Sequence, residues 1–585
     1  MKNFTKFVQE NNYLRAVKII CRYRANLAEK MHEECLLKTL SHDYHEKKLN
    51  EQEEFLISLT PPRKQWIQLG EGNRHRNSDK KYQKCTTFSI NYKRVYETIN
   101  RDFKTNCTSE RHENLIKFLR KISNSCYDRY FTFSTPEIFP VRKGIGDEKE
   151  VECRPLSQFK NLCERILVSL ANQYLSMLFG PFFFVESLAF RAPRKYHDKD
   201  KYITSHQDAV DRINDYRISH SEKHIYVAES DMKKFYDSVN HTIIKREFNK
   251  LLKKAVVQND CNLNTKVIKR IFYAYLKCYS FPQDVFVNNN KKEYWDSCNI
   301  KNGKYLWIDK ELCESGLCKN EKSLSHMRIG VPQGGALSGL ISNIVLNYVD
   351  KQLSKIKGDY LYMRYCDDMI LMSPDKKLCK DVLAEYNKSL HNVRLIPHEQ
   401  SENLSDIFNK AEFWNCKSKP VYLWDYNNGS DWITFVGYEF RRSGEIRIRK
   451  KSLLKEERKQ RRVAYDVMNK LEKKLDLNIE SLSKSIKCKL ISMSVGRVAL
   501  WNYKTIENEL CWINGFRKLN ENPYASKQIK LLDRTRMNVN KWVKDCMINM
   551  SHKENFIKGR KYKSEKIFYG KPFSYYYHYC KNCVH

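Results

Sequence analysis

Two acidic residues, Asp367 and Asp368, stand side by side in the string LYMRYCDDMILM, with apolar residues on both flanks. Leu361, Tyr362 and Met363 on one side and Met369 to Met372 on the other have the composition of two short strands. The four residues Tyr365-Cys366-Asp367-Asp368 then fall where the chain must turn. Adjacent carboxylates at a hairpin tip cannot serve an apolar core. Their mutual repulsion is tolerable only where a cation compensates it.

Other segments add to the constraint. VAESDMKKFYDSVNH leads from Val227 and Ala228 into Asp231, which is expected to end a strand, and then into Phe235, Tyr236 and Asp237. In GVPQGGALSGLISNIVLNYVD, Pro332-Gln333-Gly334-Gly335 sets two glycines after an amide side chain, and glycine lets backbone approach a ligand closely. The helix that follows is amphipathic, with Ser338, Ser342 and Asn343 expected to face polar surroundings. ITFVGYEF places Gly437 in a hydrophobic strand. In this order and spacing the four segments resemble the palm of reverse transcriptases, nearest the bacterial branch that includes group II intron and retron enzymes. Ahead of them, CRPLSQFKNLCERILVSL and ESLAFRAPRK resemble that branch's fingers motifs. The resemblance covers roughly residues 125 to 445.

The resemblance implies an α+β fold, a right-hand polymerase with a ferredoxin-like palm, fingers and a helical thumb, plus helical extensions at both ends. The corresponding division is 1–124 for a helical N-terminal extension and 125–445 for fingers and palm, with an insertion at about 279–327. A thumb at 446–530 and a C-terminal extension with an aromatic tail at 531–585 follow. Within the insertion, strands are expected around Asp284 to Phe286 and Tyr305 to Ile308.

The implied activity is RNA-directed DNA polymerisation by two-metal phosphoryl transfer. Two Mg²⁺ ions, with Mn²⁺ as a substitute, would be held by Asp231, Asp367, Asp368 and the Met232 carbonyl. Tyr236 stands where the family places an aromatic ring under the sugar of the incoming nucleotide, which points to deoxynucleotides. Gln333, Arg154, Arg165 and Lys160 match nucleotide-contacting positions, guanidinium forks being suited to phosphate oxygens. Arg191 and Gly437 match template and primer positions. Where the family shows Glu-Lys-Thr, this chain has Glu399-Gln400-Ser401, so the lysine associated with pyrophosphate protonation is missing.

Composition agrees with a nucleic-acid partner. Lys and Arg total 106 against 69 acidic residues, a formal net charge of +37, which polyanions neutralise. Arg447 to Arg462 carries nine basic and two acidic residues, and Arg458, Lys459, Arg461 and Arg462 are expected on the template–primer backbone. Twenty cysteines without a secretory signal point to a reducing cytosol, and no segment suggests a membrane role.

The expected partners are an RNA template, in particular a dedicated non-coding RNA, the DNA product, deoxynucleotides and other copies of the chain in a homo-oligomer. The extension, insertion and tail suggest a stand-alone bacterial enzyme of anti-phage defence. An intron maturase-type reverse transcriptase and a catalytically weak RNA-binding scaffold are the alternatives. The terminal FSYYYHYC offers Tyr575, Tyr576, Tyr577 and Tyr579 as candidate priming hydroxyls on a chain end expected to be loosely held.

Overall fold

The computed structural model describes residues 2–38, 49–68, 87–143, 151–191, 194–196, 199–203, 208–259, 262–305, 312, 314, 326–404, 410–425, 432–471, 515–551, 571, 573–574 and 577–578. The chain divides into two compact units, residues 1–16 with 116–431, and residues 17–115 with 432–585.

In the first unit, β1 (Glu137–Arg142) and β2 (Val151–Gln158) form an antiparallel ribbon that pairs Phe139 with Leu156 and Arg142 with Cys153. Alternation along β2 buries Cys153, Pro155 and Ser157 and exposes Arg154, Leu156 and Gln158, as a two-residue period demands. The short strands β3 (Arg194–Tyr196) and β4 (Lys199–Ile203) pair with each other. A central antiparallel sheet has the order β7-β8-β5-β9, with β5 at Tyr226–Ser230, β7 at Leu361–Tyr365, β8 at Asp368–Ser373 and β9 at Lys419–Leu423. The two-residue strand β6 (Gly303–Lys304) lies parallel to β2.

Helix Lys376–Asn392 packs on this sheet and against helix Ser338–Leu353, which packs in turn against helix His241–Gln258. Side-chain caps fix two of their starts. Asn240 accepts from the amides of Thr242 and Ile243, and Asp375 from those of Lys377 and Leu378. Helix Ser338–Leu353 buries its polar residues as well as its apolar ones. Ser338, Ser342 and Asn343 are inside, correcting the expectation of polar surroundings. Asn343 donates to the Ala189 carbonyl and receives Ser187 Oγ, so its polarity is spent within the core. Beneath the β7–β8 tip, Arg364 forms a bidentate pair with Asp350 at 2.7 and 2.8 Å, both fully buried, and Tyr362 also donates to Asp350.

The insertion has its own small core: Tyr279, Phe281, Val285, Trp295, Ile300 and Tyr305 pack with Cys153 of β2. The strand expected at Asp284–Phe286 is instead a helical turn, Phe281–Asp284 followed by a 3₁₀ turn at Phe286–Asn288. Pro282 in the first turn and Asn288 Nδ2 bonding to the Asp284 carbonyl favour that turn. The second expected strand begins beyond the two residues of β6 and extends outside the described residues.

In the second unit, β10 (Trp432–Phe435), β11 (Tyr438–Arg441) and β12 (Ile446–Ile448) form an antiparallel meander. Gly437 is not within a strand as expected. It forms the β10–β11 turn with Val436, at φ of +88° and +43° respectively, because a two-residue hairpin needs left-handed backbone at both positions. Helices Lys450–Leu471 and Pro523–Ser551 pack together. Asn520, Asn522 and Gln528 pin β12 through hydrogen bonds to the backbone of Ile446 and Ile448. Among the described residues, no helix is long and apolar enough to cross a membrane.

Candidate active site

The sheet register brings the two acidic motifs together. Ser230, the last residue of β5, pairs with Met369 of β8, and Tyr365 pairs with Asp368 across the β7–β8 turn, so Asp231 emerges beside the hairpin tip. Cys366 takes a φ of 60° at that tip, and its buried thiol lies 3.2 Å from the Tyr236 hydroxyl. Burial, with the neighbouring charge of Asp231, raises the Asp367 carboxyl above the usual carboxylate range, and Lys417 partly offsets the shift. Asp368 is exposed. Among the described residues no three His, Cys, Asp or Glu side chains form a ready metal-ligand cluster. The raised proton affinity of Asp367, with the hard oxygen donors of Asp231 and Asp368 beside it, nevertheless fits a divalent cation of the Mg²⁺ type.

Residues 396–398 run alongside Asp231 and Met232. Lys233 N donates to the Ile396 carbonyl and His398 N to that of Asp231, both at 2.8 Å, and neither bond uses the Met232 carbonyl. Lys417 Nζ lies 3.3 Å from Asp231 Oδ2 and 2.9 Å from His398 Nε2, while His398 stands 3.9 Å from the same carboxylate oxygen. Burial first, then the Lys417 charge, lowers the His398 pKa. Gln400 bridges to Ser418, the neighbour of Lys417.

Tyr236, Asp237 and Gln333 belong to one backbone assembly. Val331 N donates to the Tyr236 carbonyl at 2.7 Å, Gly330 N to the Val239 carbonyl at 2.8 Å, and His241 N to the Arg328 carbonyl at 3.0 Å. Gly330 is required here. At a φ of +84°, a Cβ would come 2.8 Å from Phe281 Cβ and 2.9 Å from the Asp237 carbonyl. Gln333 is tied at both ends: Ser157 N of β2 donates to its carbonyl at 2.8 Å, and its Nε2 donates to Asp237 Oδ1 at 2.7 Å.

The fingers-like ribbon adds positive charge. Lys143 and Lys234 both bind the Glu152 carboxylate, Lys234 at 2.6 Å, and desolvation pulls Lys143 down to about 8. Lys234 holds a left-handed φ of 47°, a backbone cost that is common at functional sites. Arg154 is exposed and its charge acts on Asp237.

Other expected residues are placed differently. Arg165 directs its Nε to the Phe159 carbonyl, and Lys160 pairs with Glu137 at 3.3 Å on the surface. Arg191, expected on template, turns inward and clamps the carbonyls of Phe184 and Gly180, the latter at 2.8 Å. Buried carbonyls of a tight loop need donors, and the guanidinium supplies two.

In the second unit, Arg458, Lys459, Arg461 and Arg462 share the exposed side of helix Lys450–Leu471, opposite buried Leu453, Glu456 and Gln460. Tyr577 does not sit on a loose end. It is 2% exposed, packs against Phe516 and donates its hydroxyl to the Asn520 carbonyl at 3.1 Å. Tyr575, Tyr576 and Tyr579 lie outside the described residues. The sequence reading missed Lys143, Lys234, His398 and Lys417. Only Lys234, three residues after Asp231, carried a local signal.

Residues 147–403 match the family described as reverse transcriptase (RNA-dependent DNA polymerase). No curated protein matches the chain. Among solved structures it is similar to telomerase from Candida albicans in complex with a TWJ fragment of telomeric RNA, at 14% identity over 78% of this chain and 75% of that one, TM-score 0.31. It is also similar to apo telomerase from Candida tropicalis, at 13% identity over 78% and 74%, TM-score 0.32.

Proposed function

We infer that this chain, whose residues 147–403 are a reverse transcriptase domain, copies RNA into DNA at the tip of the β7–β8 hairpin. RNA-directed DNA polymerase activity and the right-hand α+β class go with that domain. The observation that carries the site is the register that sets Asp231 beside Asp367 and Asp368. Asp231, Asp367, Asp368 and the Met232 carbonyl are the oxygen donors for two Mg²⁺ ions, with Mn²⁺ able to substitute. Bound there, the ions would activate the primer 3′-hydroxyl and stabilise the leaving pyrophosphate.

The chain's own groups select and hold the nucleotide. Tyr236, braced against Cys366 at 3.2 Å, places its ring where a ribose 2′-hydroxyl would clash. Gln333 contacts the incoming nucleotide, and Lys143 and Lys234, exchanging their pairing with Glu152, present positive charge to its phosphates together with exposed Arg154. The exposed basic side of helix Lys450–Leu471 binds the template–primer backbone. A dedicated non-coding RNA as template, a place in the bacterial group II intron/retron-like branch, and a cytoplasmic role in anti-phage defence rest on the motif series and the added segments at 1–124 and 279–327. Initiation from Tyr575, Tyr576 or Tyr579 remains part of this reading, whereas Tyr577 is committed to packing.

Primer extension on an RNA template with Mg²⁺ tests the activity. Incorporation of deoxynucleotides that stops on chelation supports it, and binding of RNA with no synthesis at any metal concentration favours a scaffold. Sequencing the nucleic acid that copurifies identifies the template.

A further inference from the structure

We propose that helices His241–Gln258, Lys266–Lys277 and Ser338–Leu353 carry a second nucleic-acid surface, on which cations paired over the rings of Tyr273 and Tyr348 grip the phosphate backbone of the template RNA outside the segment being copied. The proposal rests on reading the chain as an enzyme that copies RNA, and it adds a place where that RNA is held.

Helix His241–Gln258 buries Ile243, Ile244, Phe248, Leu251 and Leu252, spaced by threes and fours. Its other side exposes Lys245, Arg246, Lys250, Lys253 and Lys254. Arg246, Lys250 and Lys254 fall at intervals of four, where like charges on a helix repel. The single acid of this helix, Glu247, is buried and already spent on Arg246 at 2.7 Å and Lys250 at 2.9 Å.

Neighbouring helices bring further cations to the same face. Lys245 Nζ and Lys269 Nζ lie 5.4 and 5.5 Å from the ring centre of Tyr273, so two ammoniums share one ring. Arg246 Cζ and Lys250 Nζ share the ring of Tyr348 at 5.9 and 5.8 Å. Asn249 Nδ2 fixes the Tyr273 hydroxyl at 2.7 Å. Lys351 sits against Lys254, and burial first, then that neighbour, pulls it down to about 8. Aromatic rings attract cations but carry no charge to neutralise them. The free protein therefore bears the repulsion, and a polyanion relieves it.

The position of the face selects the polyanion. Helix His241–Gln258 starts at the backbone assembly of Tyr236, Gly330 and Val331, through His241 and the Arg328 and Gly330 carbonyls. Lys253 and Lys254 lie about 20 Å further along its axis. Helix Ser338–Leu353 packs beside it, starts from Pro332 and Gly335 and carries Lys351 in its last turn. A template longer than its copied segment is the polyanion that the reaction itself brings to this distance.

The test is the full chain with Lys245→Gln, Lys254→Gln, Lys269→Gln and Lys351→Gln together, which spares both partners of buried Glu247. The probes are a primed RNA template trimmed to its copied segment and the same template with a long unpaired tail. Affinity for the tailed template at low salt should fall by about tenfold or more, and its slope against log salt should flatten by up to about 0.7 per lost single-strand contact. Affinity and kcat/KM on the trimmed template should stay parental. The melting temperature at low salt should hold or rise, because repulsion is relieved; if the fourfold variant is unstable, Lys254→Gln with Lys351→Gln removes one repelling pair and gives the same contrast. Parental binding of the tailed template, or an equal loss on both templates, overturns the second surface. A loss seen only with a tail of DNA overturns its assignment to template RNA. Absence of synthesis by the parent on the trimmed template strikes the polymerase reading instead, while the tail-dependent loss of binding reports on this face separately.

Discussion

Lys417 holds its ammonium 3.3 Å from the carboxylate of Asp231. Gln400, where the resembled reverse transcriptases carry a lysine, bridges to Ser418, the neighbour of Lys417. An ammonium on Asp231 competes with a divalent ion for that carboxylate. Lys417→Met should therefore lower the Mn²⁺ concentration that half-saturates the site by severalfold, as read by electron paramagnetic resonance of free Mn²⁺. An unchanged midpoint would make the ion pair incidental, as many exposed pairs are.

Tyr236 spans from the segment after Asp231 to the hairpin tip through Cys366. Tyr236→Ala removes the ring while leaving the backbone bond from Val331 intact. Ribonucleotide incorporation relative to deoxynucleotide should rise by at least about tenfold, or about 1.4 kcal/mol of lost discrimination. A constant ratio would assign Tyr236 to packing alone.

Arg458, Lys459, Arg461 and Arg462 face solvent on one helix whose other side is buried. Neutralising all four should weaken RNA binding and flatten its dependence on log salt by up to about 0.9 per lost duplex phosphate contact. Fluorescence anisotropy between low and moderate salt measures the slope, and a parental slope would leave this face without nucleic acid.

His241 donates to the Gly330 carbonyl at 2.7 Å, and burial depresses its pKa from the ordinary 6.5 to about 4. The unfolded chain binds this proton from about pH 6.5 downward, but the folded one does not until about pH 4. Stability from this group is thus present above 6.5 and lost as pH falls toward 4, at up to about 1.4 kcal/mol per pH unit. The melting temperature of the parent should fall more steeply from pH 7 to 5 than that of His241→Gln, which keeps a donor without the titration. Parallel curves would contradict the assignment.

Local pattern made the central elements legible. Alternating or continuous apolar runs around Asp231 and Asp367-Asp368 read directly as β5, β7 and β8, because a buried strand writes its burial into every residue. The turn at Gly437 was misread because Val436 is a strand-favouring residue forced to a positive φ by the two-residue loop. Ser338, Ser342 and Asn343 were expected in polar surroundings because sequence shows polarity but not the core partners that satisfy it: Tyr275 for Ser338, the Gly339 carbonyl for Ser342, and Ser187 and the Ala189 carbonyl for Asn343. Arg191 misled in the same way, its donors being spent on carbonyls 7 and 11 residues away. Lys143 and Lys417 were invisible for the converse reason. Each is an ordinary lysine in a polar stretch, and only β1–β2 pairing or the Gln400–Ser418 bridge brings it to the site.

DNA synthesis by Asp367→Asn tests the central claim most directly. The substitution keeps shape and removes the charge that faces Asp231. Primer extension on an RNA template with saturating Mg²⁺ should fall by at least about a thousandfold, roughly 4 kcal/mol of transition-state stabilisation, while RNA affinity and melting temperature stay at parental values. Synthesis within about tenfold of the parent would contradict the assignment of the β7–β8 tip as the catalytic centre.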